Sequence, residues 1–308
     1  MLFAALLGGS AIAGQRLGRR CRLDLQAAYA RLAAVDRTAV MTRFGTVEYA
    51  ERGSGEPLLA IHGFFGGCDE ALLSLGGLAA DRRAIAPSRF GYLGSSMPAG
   101  ASVTVQADAY AALLDRLRID ALDVTAISSG ATSALQFALR HPDRVKRLAV
   151  ISGNLPGGAA ATAPPRAARL IYRDVPMWAL SVFARPILLR QIGVPTGFPL
   201  AAGDQRIVFD LIDSFFPVAL KTQGVAFDAF VADPDVNNYQ LEAITVPTLI
   251  VHAKDDPLVS HEAAQRAAGR IPGARLLSVE RGGHLLLGGH REVIGREVTA
   301  FLAGQTAP

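Results

Sequence analysis

The segment Val124-Thr125-Ala126-Ile127-Ser128-Ser129-Gly130-Ala131 ends an apolar, strand-like run and opens a helical one within two residues. Such a turn presents one side chain at a helix N-terminus on a strained backbone, and it needs small residues two before and two after. Ser128 has Ala126 and Gly130 at those places, whereas Ser129 has Ile127 and Ala131, so Ser128 is the candidate nucleophile. A serine hydroxyl needs a base within hydrogen-bond reach, and that base needs a third group to fix its tautomer. Arg281-Gly282-Gly283-His284 carries the candidate base after the last predicted strand. The run from Val251 to Val259 carries two candidate acids, Asp255 and Asp256, after the strand before it. Taken singly, these residues are a helix cap, loop carboxylates and a glycine-rich loop. Together they stand in the chain order serine, acid, histidine, and that order points to acyl transfer.

Acyl transfer also needs two N–H donors aimed at the oxygen on which charge develops. The backbone of Ser129, directly after the nucleophile, is one candidate. The loop Ile61-His62-Gly63-Phe64-Phe65-Gly66-Gly67 offers the other, with Phe64 N–H the expected donor. A glycine-rich loop can instead cradle phosphate, but the Lys-Ser/Thr ending of that motif does not follow here.

The elements that must position these groups are legible as alternation. Residues 40–44 and 47–51 flank Gly45 as an opening hairpin. Short apolar runs follow at 58–61, 83–86, 122–127, 147–151, 248–251 and 274–279. Helical patterns lie between or after them at 70–80, 105–117, 130–140, 260–270 and 291–302. Continuous apolar strands alternating with helices predict an α/β fold with a mostly parallel sheet covered on both faces. The alternation stops between residues 156 and 238, where prolines and aromatics such as Trp178, Phe198 and Phe215 appear. An insertion there would lie over the carboxyl edge of the sheet, where open α/β folds bind ligands. The expected division is an N-terminal segment over 1–36, a core over 37–155 and 239–308, and a largely helical lid over 156–238.

At this level the chain resembles the α/β-hydrolase superfamily, in particular its lidded group of esterases, carbon–carbon bond hydrolases and cofactor-free perhydrolases. The resemblance rests on His62-Gly63-Phe64-Phe65-Gly66, on the loop from Ala86 to Ser96, on the end of the helix from Phe137 to Val145, and on Gly282-Gly283-His284-Leu285. It covers about residues 42–155 and 239–303 and is nearly silent in the lid. It implies an eight-stranded sheet and a Ser128–His284–Asp256 triad, with Asp256 rather than Asp255 as the acid. The position of Pro142 relative to Ser128 likewise implies Ser128 over Ser129. Ala126-Ile127 replaces the commoner Gly-His, and Ala131 replaces a second glycine. The implied activity is hydrolysis of a small to medium hydrophobic carboxylic ester, with carbon–carbon cleavage or perhydrolysis as alternatives on the same triad. A small-molecule receptor or a non-catalytic scaffold is the alternative of a different class.

Composition bounds what else the chain does. Of 308 residues, 50% are hydrophobic and 19% charged, enough for a large core. The formal charge of +4 is not gathered into a basic run, so no nucleic-acid partner is expected. Cys21 and Cys68 form no CxxC pair, and the six histidines stand at no metal-ligand spacing, so neither metal nor cofactor is expected. Residues 2–14 are uncharged and mostly apolar, followed by Arg16, Arg19, Arg20 and Arg22, with a helical pattern over 15–36. The apolar run is shorter than the roughly 20 residues that span a bilayer. The expectation is a cytoplasmic protein acting on a hydrophobic small molecule, with membrane association or export through residues 2–14 as the alternative.

Overall fold

A computed structural model describes residues 2–76, 81–158 and 162–305, with the side chains of residues 2–13 outside that description. Eight strands form one sheet in the order β1-β2-β4-β3-β5-β6-β7-β8. They are β1 (Arg37–Thr42), β2 (Gly45–Arg52), β3 (Glu56–Ile61), β4 (Arg82–Pro87), β5 (Leu122–Ile127), β6 (Val145–Ile151), β7 (Thr248–Ala253) and β8 (Arg275–Val279). The hairpin strand β2 runs antiparallel to both β1 and β4, and from β4 to β8 every pairing is parallel. The mostly parallel eight-stranded sheet is therefore present as expected.

The sheet is buried on both sides because alternate residues feed two separate cores. Leu59 and Ile61 of β3 and Val124 and Ala126 of β5 pack with Leu113 of α3 (Val103–Leu117), Phe137 of α4 (Gly130–Arg140) and Ala264 of α10 (His261–Arg270). Leu58 and Ala60 of β3 and Ala149 and Ile151 of β6 turn to the other face. There they meet Ala71 of α2 (Cys68–Leu75) and Val298 of α11 (Arg291–Leu302). This two-residue period, with apolar side chains on both faces, keeps the central strands dry. Local chemistry fixes the helix starts: Ser102 and Ser260 cap α3 and α10 by accepting from Val105 and Ala263 N–H.

Two elements differ from the sequence expectation. The helix expected over 70–80 begins at Cys68 and ends at Leu75, where Gly76 breaks it, and residues 77–80 lie outside the described residues. The helix expected over 15–36 is longer: α1 runs from Leu2 to Ala33. Cys21, Ala28 and Leu32 are buried on one face of α1, at the seven- and four-residue spacing of a helical stripe. No helix among the described residues is long and apolar enough to cross a membrane. The side chains of residues 2–13, on which the membrane expectation rests, lie outside the description.

Between β6 and β7 the chain forms α5 (Asp174–Phe183), α6 (Arg185–Gln191), α7 (Ala202–Ser214), α8 (Thr222–Phe227) and the short α9 (Asp233–Asp235). These helices share a third core, built from Trp178, Leu188, Val208, Ile212 and Phe215 with Cys21 and Ala28 of α1. The Trp178 indole N–H donates to Asp24 at 2.8 Å, and Arg31 donates to the Phe216 carbonyl at 3.0 Å. The N-terminal helix thus packs on the inserted helices rather than only preceding the sheet.

Candidate active site

Strand β5 ends at Ile127 and α4 begins at Gly130, leaving Ser128 in the left-handed region with φ of 52°. Such a conformation is costly for a residue with a Cβ and persists only where its surroundings hold it. The main chain does so here. Ser128 N–H donates to Ile151 O at 3.1 Å, and Asn154 N–H donates to Ser128 O at 2.9 Å. A Cβ on Gly130 would stand 2.4 Å from the His62 carbonyl oxygen, so only glycine fits there. The small-flank argument made from sequence is a real steric limit at this position.

Ser128 Oγ lies 2.7 Å from His284 Nε2, and His284 Nδ1 lies 2.8 Å from Asp256 Oδ2. Ser129 is turned away from this chain: its hydroxyl donates to Asp233 at 2.5 Å. Asp256 Oδ1 also accepts from Leu258 and Val259 N–H at 2.8 and 3.1 Å. His252, fully buried, sits with Nε2 3.2 Å from Asp256 Oδ2 and 2.8 Å from the Val259 carbonyl. Burial pushes the Asp256 carboxyl up, but His284 and His252 outweigh it and hold it well below the usual carboxylate range. Asp255 does not reach the imidazole. Its Oδ1 accepts from Gly282 and Gly283 N–H at 2.9 and 2.8 Å and so fixes the loop that carries His284.

The loop with Phe64 runs beside the serine. A Cβ on Gly63 would stand 3.3 Å from Ser128 Cβ, so the backbone passes at van der Waals distance and brings Phe64 next to it. Gly63 N–H donates to Glu70 Oε2 at 3.1 Å, and Lys221 Nζ donates to Phe65 O at 3.1 Å. His62 is buried; its Nε2 accepts from Arg89 N–H at 2.9 Å, so its proton sits on Nδ1, which donates to Gly63 O at 2.8 Å. Burial and the Arg89 charge push its pKa well down, keeping it neutral. Arg89 makes a two-pronged pair with Asp228, both bonds 2.6 Å, and also donates to Gly63 O at 3.1 Å. Tyr92 adds its hydroxyl to the same carboxylate. A buried ionic cluster therefore fastens the Phe64 loop to the inserted helices.

The insertion also touches the histidine. His284 N–H donates to Gly193 O at 3.0 Å, and a Cβ on Gly193 would fall 2.2 Å from His284 Cβ. A cavity of about 1420 Å³ reaches from these helices to α2 and α11, with Ser128, His284 and Phe64 in its wall beside Tyr172, Met177 and Leu188. Its lining is mainly apolar, as a site for a hydrophobic ligand requires. Among the described residues, no group of His, Cys, Asp and Glu side chains is disposed to hold a metal ion, and Cys21 and Cys68 are free and buried.

Sequence reasoning singles out Ser128, His284, Asp256, Phe64 and Ser129; four of them line one cavity, and Asp256 lies behind His284, bonded to its ring. Sequence reasoning does not find His252, Arg89, Asp228, Lys221 or Asp233. The two aspartates did leave a signal: Asp228 and Asp233 are the acids of an otherwise apolar stretch, Val225-Ala226-Phe227-Asp228-Ala229-Phe230-Val231-Ala232-Asp233.

Comparison with known proteins agrees with this geometry. The family model for the alpha/beta hydrolase fold matches residues 56–290. The chain is 28% identical over 270 residues to an uncharacterized hydrolase, YcgS, of Bacillus subtilis, covering 84% of this chain and 95% of that protein. It is 27% identical over 267 residues to the 2-hydroxymuconate semialdehyde hydrolase of Pseudomonas putida, covering 82% and 89%. Among solved structures, an alpha/beta hydrolase fold protein from Nakamurella multipartita superposes with a TM-score of 0.68 at 25% identity, over 87% of this chain and 99% of that one. By this match, together with its sheet order and strained serine turn, the chain belongs to the α/β-hydrolase fold family.

Proposed function

We propose that the protein is a serine hydrolase that cleaves a small to medium hydrophobic carboxylic ester through an acyl-Ser128 intermediate. The observation that carries this reading is the unbroken hydrogen-bond chain Ser128–His284–Asp256, 2.7 and 2.8 Å, opening on an apolar cavity. Ser128 Oγ attacks the ester carbonyl while its proton passes to His284 Nε2. Asp256 accepts from Nδ1–H and stabilises the imidazolium that forms. The carbonyl oxygen, now negative, is met by Phe64 and Ser129 N–H, whose fixed dipoles need no rearrangement as charge appears. His284 returns its proton to the departing alcohol, then takes one from the water that releases the acid.

Turnover of p-nitrophenyl esters of increasing acyl length tests this reading. Measurable release with wild type, abolished in Ser128→Ala, supports it; a wild type inert towards the whole series contradicts it. The similarity to a 2-hydroxymuconate semialdehyde hydrolase favours carbon–carbon cleavage as the second reading. Turnover of that semialdehyde at a kcat/KM well above any ester would replace the first reading with the second. As partner we propose only the hydrophobic small-molecule substrate itself.

A further inference from the structure

The inserted helices bring a carboxyl to the cavity that the mechanism above does not use. Asp233 is only 8% exposed and lines the cavity that also holds Ser128 and His284. It accepts the Ser129 hydroxyl at 2.5 Å and a side-chain hydrogen bond from Asn154. Its placement comes from a local irregularity. Residues Asp228–Ala232 form one π-helical turn, closed by Asp233 N–H on the Asp228 carbonyl. In a regular α-helix, side chains five apart diverge by about 140°; the i→i+5 bonding of a π turn narrows that divergence. Asp228 is then taken by Arg89 and Tyr92, while Asp233 is left beside the serine turn with no ion pair among the described residues.

A buried carboxyl on a mostly apolar wall costs free energy unless something bonds to it. We propose that Asp233 is a specificity-determining residue that accepts a hydrogen bond from a hydroxyl or amide N–H carried by the acyl chain, close to the scissile carbonyl. This rests on the acyl-serine reading. The side of the substrate follows from the neighbours. The leaving alcohol lies towards His284, which must protonate it, whereas Asp233 is tied to Ser129, whose N–H faces the carbonyl oxygen. A donor two or three bonds along the acyl chain reaches the carboxyl.

The acceptor strength of Asp233 depends on pH. Burial raises its pKa and the Asp228 charge raises it further, while the Ser129 and Asn154 bonds and the Arg89 charge lower it, leaving it at about 7. Tyr92, Tyr172 and Tyr239 are the remaining titratable groups that sense it. The carboxylate form, which only accepts, therefore grows as pH rises through this range.

The test compares methyl 3-hydroxybutyrate with methyl butyrate, following acid release between pH 6 and 8. The two share a leaving group, so any pH dependence common to both esters cancels in the ratio of their kcat/KM values. That ratio should be about tenfold at pH 8, the size of one hydrogen bond to a charged acceptor, and should fall at least threefold by pH 6. Asp233→Asn should bring it close to one and make it flat with pH. The wild-type series stands without the variant should the latter not fold. A ratio near one throughout overturns the subsite while leaving the hydrolase reading intact, as does a preference that appears only when the hydroxyl is on the alcohol side. A wild type that cleaves neither ester overturns both.

Discussion

Asp255 and Asp256, adjacent in the chain, hold different parts of the same histidine. Asp256 accepts from the His284 ring at 2.8 Å, while Asp255 accepts from the backbone of Gly282 and Gly283 at 2.9 and 2.8 Å. One orients the ring, and the other sets the path of its loop. Asp256→Asn should therefore lower kcat by about 10⁴-fold, as the loss of the orienting acid does in serine triads. Asp255→Asn keeps one acceptor oxygen and should cost about tenfold or less, roughly one weakened hydrogen bond. Steady-state kinetics of both variants on one ester checks this, and equal small losses would contradict the assignment.

The depressed Asp256 carboxyl also ties stability to pH. With its folded pKa below the unfolded value of about 3.9, the unfolded chain takes up the proton first as pH falls. The stabilisation is thus complete above about pH 5 and is lost as pH drops below 4. Thermal unfolding of wild type and Asp256→Asn should differ most near neutrality, and the gap should narrow progressively as pH falls from about 5 through the acid range. A difference in Tm that does not change with pH speaks against an ionised Asp256 in the folded state.

Arg89 and Asp228 are both almost fully buried, with side chains 2% and 0% exposed. Removing one partner leaves the other charged and unpaired, so Arg89→Met should destabilise the protein by about 3–5 kcal/mol. The double change Arg89→Met with Asp228→Leu should recover part of that, since no orphaned charge remains. Urea unfolding of the three proteins measures both effects. No recovery in the double variant would show that the pair contributes through its contact with Gly63 rather than through charge balance.

Helix α1 covers apolar surface of the inserted helices with Cys21, Ala28 and Leu32 and meets Trp178 through Asp24. A chain beginning at Arg37 exposes that surface and leaves the indole N–H without its acceptor. Its Tm should fall by several degrees, at about 2–4 °C for each kcal/mol lost. An unchanged Tm would mean that α1 docks without contributing to stability.

The sheet and the serine turn are legible because each rests on local chemistry, whereas the choice of Asp256 over Asp255 comes only from the family resemblance. Small flanks at Ala126 and Gly130 are a steric demand, and alternation of apolar strands and helices is a burial demand. Both are written in consecutive residues. The supports of the site are not. Arg89 meets Asp228, and Lys221 meets Phe65, across long chain separations, and no spacing rule connects them. The π turn that brings Asp233 to Ser129 breaks the helical period on which sequence patterning depends. The role of Asp255 was equally hidden, since a loop carboxylate bonding backbone N–H groups looks in sequence like any other.

The most direct test of the central claim is the intact mass of the protein after incubation with a fluorophosphonate, followed by peptide mapping. One adduct is expected, on Ser128, formed in wild type and absent in Ser128→Ala. No adduct in wild type, or an adduct carried by Ser129, would contradict it.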